Sequence, residues 1–321
     1  MAERGATSTG AGRGELEQQT ARAREVVGQR LAAAAAPLLE RFPPADYIAA
    51  FDAVELEQSY QFVPEAARAQ CQRIEKDFGT EALELYHRWV LIELIASFRA
   101  RLAVRRIPTS VVELIEAAFV RILRGVESAP ADFHQFGNEL FVKDFATCRL
   151  RMLPCGSEAV DVASGIPRST LFKGGLAQFA KLGRLVASEL GGFRPLYESH
   201  WDRRLARLFN EASYNECYLR IADLLELNPQ VRGMFGASWW LDPALHEIAP
   251  EFDFLRRVPV ENGAHIFRIG PDAGAVRDAT TFSRKRRELY EAGKYNPERY
   301  LLVWPRGALL EWARRFRATA S

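Results

Sequence analysis

The sequence has little of what marks a secreted, membrane-spanning or metal-held protein. Four cysteines, Cys71, Cys148, Cys155 and Cys217, occur in 321 residues without a C-x-x-C spacing. They are too sparse for a disulfide scaffold, and reduced thiols in a cytoplasmic protein are expected. No run of eighteen apolar residues occurs and the first residues lack the apolar core of a signal peptide, so neither a membrane span nor secretion is expected. The five histidines show neither H-x-H nor H-x-x-x-H spacing, which argues against a metal site. No internal repeat is present, and Gly174-Gly175 lacks the lysine and hydroxyl of a phosphate-binding loop. Net charge is also lacking. A formal +2 gives no global pull toward nucleic acid or a membrane surface, and without a nucleic-acid-binding module no such partner is expected.

With 48% hydrophobic and 26% charged residues, the composition is that of an ordinary globular protein. Residues 1–14 are small, polar and carry four glycines, so an unordered tail is expected there. Residues 15–127 read as a helical domain with short connections. Pro43-Pro44 stops a first alanine-rich helix, and Pro64 opens a second that Gly79 ends. Leu83, Tyr86, Val90, Leu91, Leu94 and Phe98 mark a third helix, and Thr109 or Ser110 caps a fourth.

After the break at 128–132 the pattern changes, and residues 132–321 read as a second domain. Strands are expected at Leu140–Leu153, Ala159–Ala163, Val231–Leu241, Gly263–Ile269 and Tyr300–Trp304. Residues 195–202 read as a strand or a loop. Helices are expected at Leu176–Leu190, Tyr214–Leu227, Ser283–Ala292 and Gly307–Phe316. The fold class is therefore α+β, a helical segment followed by a mixed α/β sheet domain.

Three groups of residues have the chemistry of a site. Ser238, Trp239, Trp240 and Asp242 lie where a strand gives way to a helix, a junction that often meets ligands, although Asp242 can equally be a helix cap and the indoles core. His200-Trp201-Asp202-Arg203-Arg204 places an imidazole beside a carboxylate, as a general base requires, or else forms a surface ion-pair cluster. Residues 281–321 carry a local +6, leaving −4 on the remainder. Arg284, Arg286 and Arg287 lie there on a helix near Tyr290 and Tyr295, suited to a phosphate, a CoA pyrophosphate or an acidic carrier protein, or to nothing but solvent. Cys155 falls in a turn, where a thiol can be exposed.

The segment Phe235-Gly-Ala-Ser-Trp-Trp-Leu-Asp-Pro-Ala-Leu resembles the carboxy-terminal part of GNAT-like acyltransferases. There, a strand ending in Ser-Trp-Leu-Leu-(Asp/Ala)-Pro-x-Leu follows a helix. The likeness spans residues 214–304, although the Gln/Arg-x-x-Gly-x-Gly/Ala loop of that superfamily is not found between a strand and a helix. The resemblance implies acyl transfer from CoA or a carrier protein to an amine, with acyl-CoA or acyl carrier protein as co-substrate and no bound cofactor. His200 or Asp242 would take the amine proton, backbone donors of 235–238 would hold the thioester, and Tyr290 or Tyr295 would protonate the thiolate. Ser238, Trp239, Trp240, Arg284, Arg286 and Arg287 would bind substrate. The alternative is a non-catalytic interaction protein with a helical docking half and a basic carboxy-terminal face.

Overall fold

A computed structural model describes residues 8–320 apart from 57, 131 and 282. The chain is α+β and divides into two units, residues 1–154 and 155–321.

The first unit is helical: α1 (Ser8–Ala35), α2 (Leu38–Arg41), α3 (Pro44–Asp52), α4 (Glu65–Phe78), α5 (Thr80–Ala96), α6 (Phe98–Leu102), α7 (Thr109–Ser128) and α8 (Glu139–Cys148), closed by the short strand β1 (Met152–Pro154). Part of the tail expected over 1–14 lies outside the described residues, and helix α1 already runs from Ser8. In α7, Val111, Ile115, Phe119, Ile122 and Val126 recur at helical spacing, and all are buried. Helix α1 packs against α5 and α7. The third helix expected from sequence, through Leu83 to Phe98, is interrupted at Ser97, whose hydroxyl bonds back to the carbonyls of Glu93 and Leu94.

The largest departure from the sequence expectation is at 140–153. A strand is expected there, but residues 139–148 form a helix, capped by the Asn138 side chain on the Leu140 amide. Every residue from Phe141 to Cys148 is buried, so the apolar density reflects a helix enclosed on all sides rather than a pleat. The helical unit consequently extends to Pro154.

Helix α5 also buries ionisable groups. Arg88 donates to the carbonyls of Val126 and Ala129 at 2.6 and 3.0 Å, satisfying acceptors that the end of α7 leaves over, and pairs with buried Glu84 at 2.7 Å. His87 Nδ1 lies 2.7 Å from the His134 carbonyl oxygen, which can only accept. Nδ1 therefore carries the proton, and Nε2 is left to accept from the Tyr47 hydroxyl at 3.1 Å. This arrangement suits a neutral imidazole. Burial holds His87 at about 4. Burial, with the charges of Arg88 and His87, holds His134 at about 3.

The second unit is built on five strands, β2 (Glu158–Ser164), β3 (Leu196–Trp201), β4 (Gly233–Ser238), β5 (His265–Pro271) and β6 (Glu298–Pro305). Their order across the sheet is β2-β3-β4-β6-β5. Residues 195–202, open between strand and loop from sequence, thus provide the interior strand β3. All neighbours are antiparallel except β3 and β4. These two are joined through α10 (Glu211–Leu227), and a crossover helix is what a parallel pair requires.

Cross-strand register sorts the side chains onto two faces. Leu196, Phe235, Phe267, Leu301 and Val303 join Leu182 and Leu185 of α9 (Gly175–Leu185) in one core. On the opposite face Trp304 is fully buried beside Tyr218 of α10 and Trp312 of α15 (Arg306–Ala320), and its indole N–H donates to the Asn262 carbonyl. Gly233, at φ +150°, is needed where β4 meets β6, because a Cβ there would come 2.4 Å from the Trp304 carbonyl oxygen.

The remaining helices are α11 (Pro243–Ile248), α12 (Phe254–Glu261), α13 (Ala273–Thr281) and α14 (Arg284–Glu291). None of the described helices is long and apolar enough to cross a membrane.

Candidate functional site at the β3/β4 junction

Strand β3 reads Leu196-Tyr197-Glu198-Ser199-His200-Trp201, and its alternation decides the site. Leu196 sits in the core beneath α9, and by the two-residue period Glu198 and His200 continue along the same face toward the strand end. Register then brings Asp161 of β2 opposite Glu198. One ligand atom from each of Asp161, Glu198 and His200 lies within 4.8 Å of the others, and Asp161 is fully buried. His200 Nε2 is 3.7 Å from Glu198 Oε2, and the Ser164 hydroxyl donates to the same oxygen at 2.6 Å. Burial pushes Glu198 up, but the bond and charge of His200, Ser164 and the charge of Arg299 outweigh it and hold the carboxyl below its usual value. Two carboxylates around an imidazole can orient and charge-stabilise a base, and the same atoms can hold a divalent cation. Histidine spacing pointed away from any such set because its members come from two strands.

The other face of β3 carries a second carboxylate centre. Glu158 is approached by Ser199 and by the Tyr214 hydroxyl at 3.5 Å. Burial raises its pKa, and Ser199, His200 and Tyr214 only partly oppose this.

The junction between β3 and β4 is short. Ladder pairing consists of Tyr197↔Met234 and Glu198↔Phe235. On the outer sides pairing continues, β3 with β2 to Trp201↔Glu158 and β4 with β6 to Ser238↔Tyr300. Residues 199–201 and 236–238 run on past the second of these two pairs. Just past the last ladder pair a Cβ on Gly236 would lie 2.4 Å from Ser199 Oγ. Beyond it Trp201 and Trp240 meet edge to face at 5.1 Å, with Phe209 4.7 Å from Trp240. After β3, Asp202 caps a 3-10 turn (Arg203–Leu208) and holds Arg204 through both carboxylate oxygens. Arg203 and Arg207 are exposed just ahead of α10.

This geometry yields a stability prediction. Gly236→Ala is expected to cost about 1–3 kcal/mol, since the added methyl displaces Ser199. Combined with Ser199→Ala, which removes the offending oxygen, the loss should be smaller than the sum of the two single losses. Urea midpoints of the four proteins measure this, and strict additivity would contradict the contact.

The other residues singled out from sequence are distributed as follows. Ser238 ends β4, and its hydroxyl accepts from the Trp240 amide. Asp242 is buried, with one oxygen accepting from Ala244 N and the other from Glu298 N, each at 3.0 Å. Trp239 is packed with Leu245, Ala275, Ala279 and Tyr295, and Arg286 stacks over its ring at 5.1 Å. Burial raises the Tyr295 hydroxyl, to which the charge of Asp242 adds, and no hydrogen-bond partner among the described residues reaches it. Tyr290 is 40% exposed on α14. Arg286 donates to the Ala279 carbonyl and Arg287 to those of Thr280 and Thr281, so both satisfy the end of α13, while Arg284 pairs with Glu288. Cys155 is buried, and burial raises its thiol well above the usual value. Asp161, Glu198, Glu158 and Ser199 were missed from sequence. Only the alternation of β3 marked Glu198 and Ser199 as lying on opposite faces of one strand.

No protein-family model and no curated protein matches the chain. Among solved structures the chain is similar to an acyltransferase in complex with CoA and 10C-teicoplanin, at 16% identity and a TM-score of 0.46, over 89% of this chain and 99% of that one. It is likewise similar to an acyltransferase in complex with decanoyl-CoA and teicoplanin, at 17% identity and a TM-score of 0.45, over 88% and 98%.

Proposed function

We propose that residues 155–321 transfer an acyl group from acyl-CoA to an amine, at the ends of β3 and β4 beyond their shared ladder. The observation that carries this reading is the ladder that stops at Glu198↔Phe235 while both strands run on. A strand's backbone presents alternating N–H and C=O groups, and the pantetheine arm of CoA is an extended chain with two amides that can pair with such groups. Backbone donors at 236–238 would face the thioester oxygen and stabilise its charge as the tetrahedral intermediate forms. Arg203 and Arg207, ahead of the α10 amino terminus, suit the pyrophosphate end of the donor.

In the reaction the amine nitrogen attacks the thioester carbon, the C–S bond breaks, and one proton leaves nitrogen as the thiolate departs. His200 lies one residue beyond Ser199 on β3 and takes that proton, with Glu198 and Asp161 holding the imidazole and stabilising its charged form. Asp242 serves the fold instead, since both its oxygens are engaged by backbone amides. Tyr295 is sealed in the apolar cluster with Trp239 and burial raises its hydroxyl, so it serves the packing, and the proton taken by His200 passes on to the departing thiolate.

Acyl-CoA is expected to raise the melting temperature of the full chain, with free CoA giving a smaller rise and adenosine diphosphate less again. A chain whose melting is indifferent to all three would contradict the proposal.

A further inference from the structure

Outside this site, the described residues include a surface that combines exposed apolar side chains with an excess of positive charge. It is formed by a 3-10 turn (Arg168–Phe172) and helix α9. Leu182 and Leu185 of α9 point into the core, whereas Phe172, Leu176 and Phe179 are 73%, 88% and 43% exposed. Leu176 and Phe179 lie three residues apart on α9 and so share a face, and the Phe172 ring, from the preceding turn, lies 5.6 Å from that of Phe179. Around them stand Arg168, Lys173, Lys181 and Arg184, all exposed, and residues 165–188 contain no Asp or Glu. Arg168 and Lys181 lean over the rings of Phe193 and Phe267. The nearest acid along the chain is Glu189, which faces His265 at 3.9 Å.

We propose that this surface docks on an anionic lipid bilayer. A convex helix with apolar tips flanked by cations is the form that lies in a membrane interface, its apolar residues entering the acyl boundary while Lys and Arg reach the headgroups. Four exposed cations, none in an ion pair among the described residues, select negatively charged headgroups over zwitterionic ones. A second copy of the chain would meet the same positive charge, so self-association through this stripe is disfavoured. The inference does not depend on the acyl-transfer reading, because none of its residues belongs to the β3/β4 junction.

The test is co-sedimentation of the full chain with vesicles of phosphatidylcholine alone and of phosphatidylcholine mixed with phosphatidylglycerol, at low and high salt. Binding to the mixed vesicles is expected, weakened by salt and about tenfold or more weaker to phosphatidylcholine alone. Leu176→Glu with Phe179→Glu, and separately Lys173→Glu with Arg184→Glu, should each reduce it by about tenfold or more with unchanged melting curves. These four side chains are exposed, so folding is preserved, and melting with and without acyl-CoA reports separately on the junction. Equal binding to both vesicle types, no binding to either, or binding unaffected by both variants would overturn the proposal. So would a concentration-dependent dimer that the Leu176→Glu, Phe179→Glu variant abolishes, which would assign the stripe to a second copy, or a requirement for an acidic protein rather than lipid.

Discussion

Acidification from pH 7 to pH 4 is expected to unfold the helical unit, with the loss of stability beginning near pH 6.5. The cause is the buried pair His87 and His134. An imidazole whose folded pKa lies below its unfolded value of about 6.5 favours folding above that value, because the unfolded chain then gains no protonation advantage. As pH falls below 6.5 the unfolded chain binds protons that the folded one refuses, and stability declines until the folded values, about 4 for His87 and about 3 for His134, are reached. Each group therefore removes stability on the order of 3 kcal/mol or more across that window, against a total of about 5–15 kcal/mol for a typical domain. For His87 the geometry agrees with the direction, since the His134 carbonyl fixes the proton on His87 Nδ1 and Tyr47 supplies the donor that bare Nε2 needs, while the Glu84 carboxylate 3.6 Å from His134 Nδ1 is already paired with Arg88. Circular dichroism and urea midpoints between pH 7 and pH 4 measure the effect. His87→Gln keeps an amide donor for the carbonyl but does not titrate, so it should flatten the slope below pH 6.5. A slope unchanged by that substitution would show that carboxylates dominate.

The second large effect concerns the junction. Replacing His200 with Ala should lower kcat for acyl transfer by about 100- to 10,000-fold, the span expected when a positioned base is lost. The affinity for acyl-CoA should change little, because the donor is held by strand edges and not by the imidazole. Added imidazole should restore part of the rate. Glu198→Gln should give a smaller loss, since Asp161 and Ser164 remain around the site. Full activity in the His200 variant would remove the imidazole from the mechanism and leave Glu158, whose burial raises its pKa, as the base.

Much of this architecture was legible in the sequence, and the misses have local causes. Pro64, Gly79, Asp242 with Pro243, and Gly293 punctuate the chain at or beside element ends, as backbone chemistry requires. The helix at 139–148 was not legible by periodicity, because a helix buried on every side has no polar stripe to reveal its period. The cap at Asn138 was its one local signal. At the candidate site, His200 was visible as a residue type beside a carboxylate. Its observed partners Asp161 and Glu198 were not, since they meet only when β2 and β3 align in register. The same applies to Ser199 and Gly236, which face each other across a parallel junction that the whole of α10 separates in sequence. The indole pair led the sequence reading toward the end of β4, where Trp239 packs into an apolar cluster and Trp240 stands against Trp201 and Phe209.

The most direct test of the junction as a thioester site is hydrogen–deuterium exchange of the full chain with and without acyl-CoA. Slowed exchange is expected at the backbone amides of 199–201 and 236–238, which the arm of the donor would cover. Protection confined to other segments, with these two stretches unchanged by bound acyl-CoA, would contradict it.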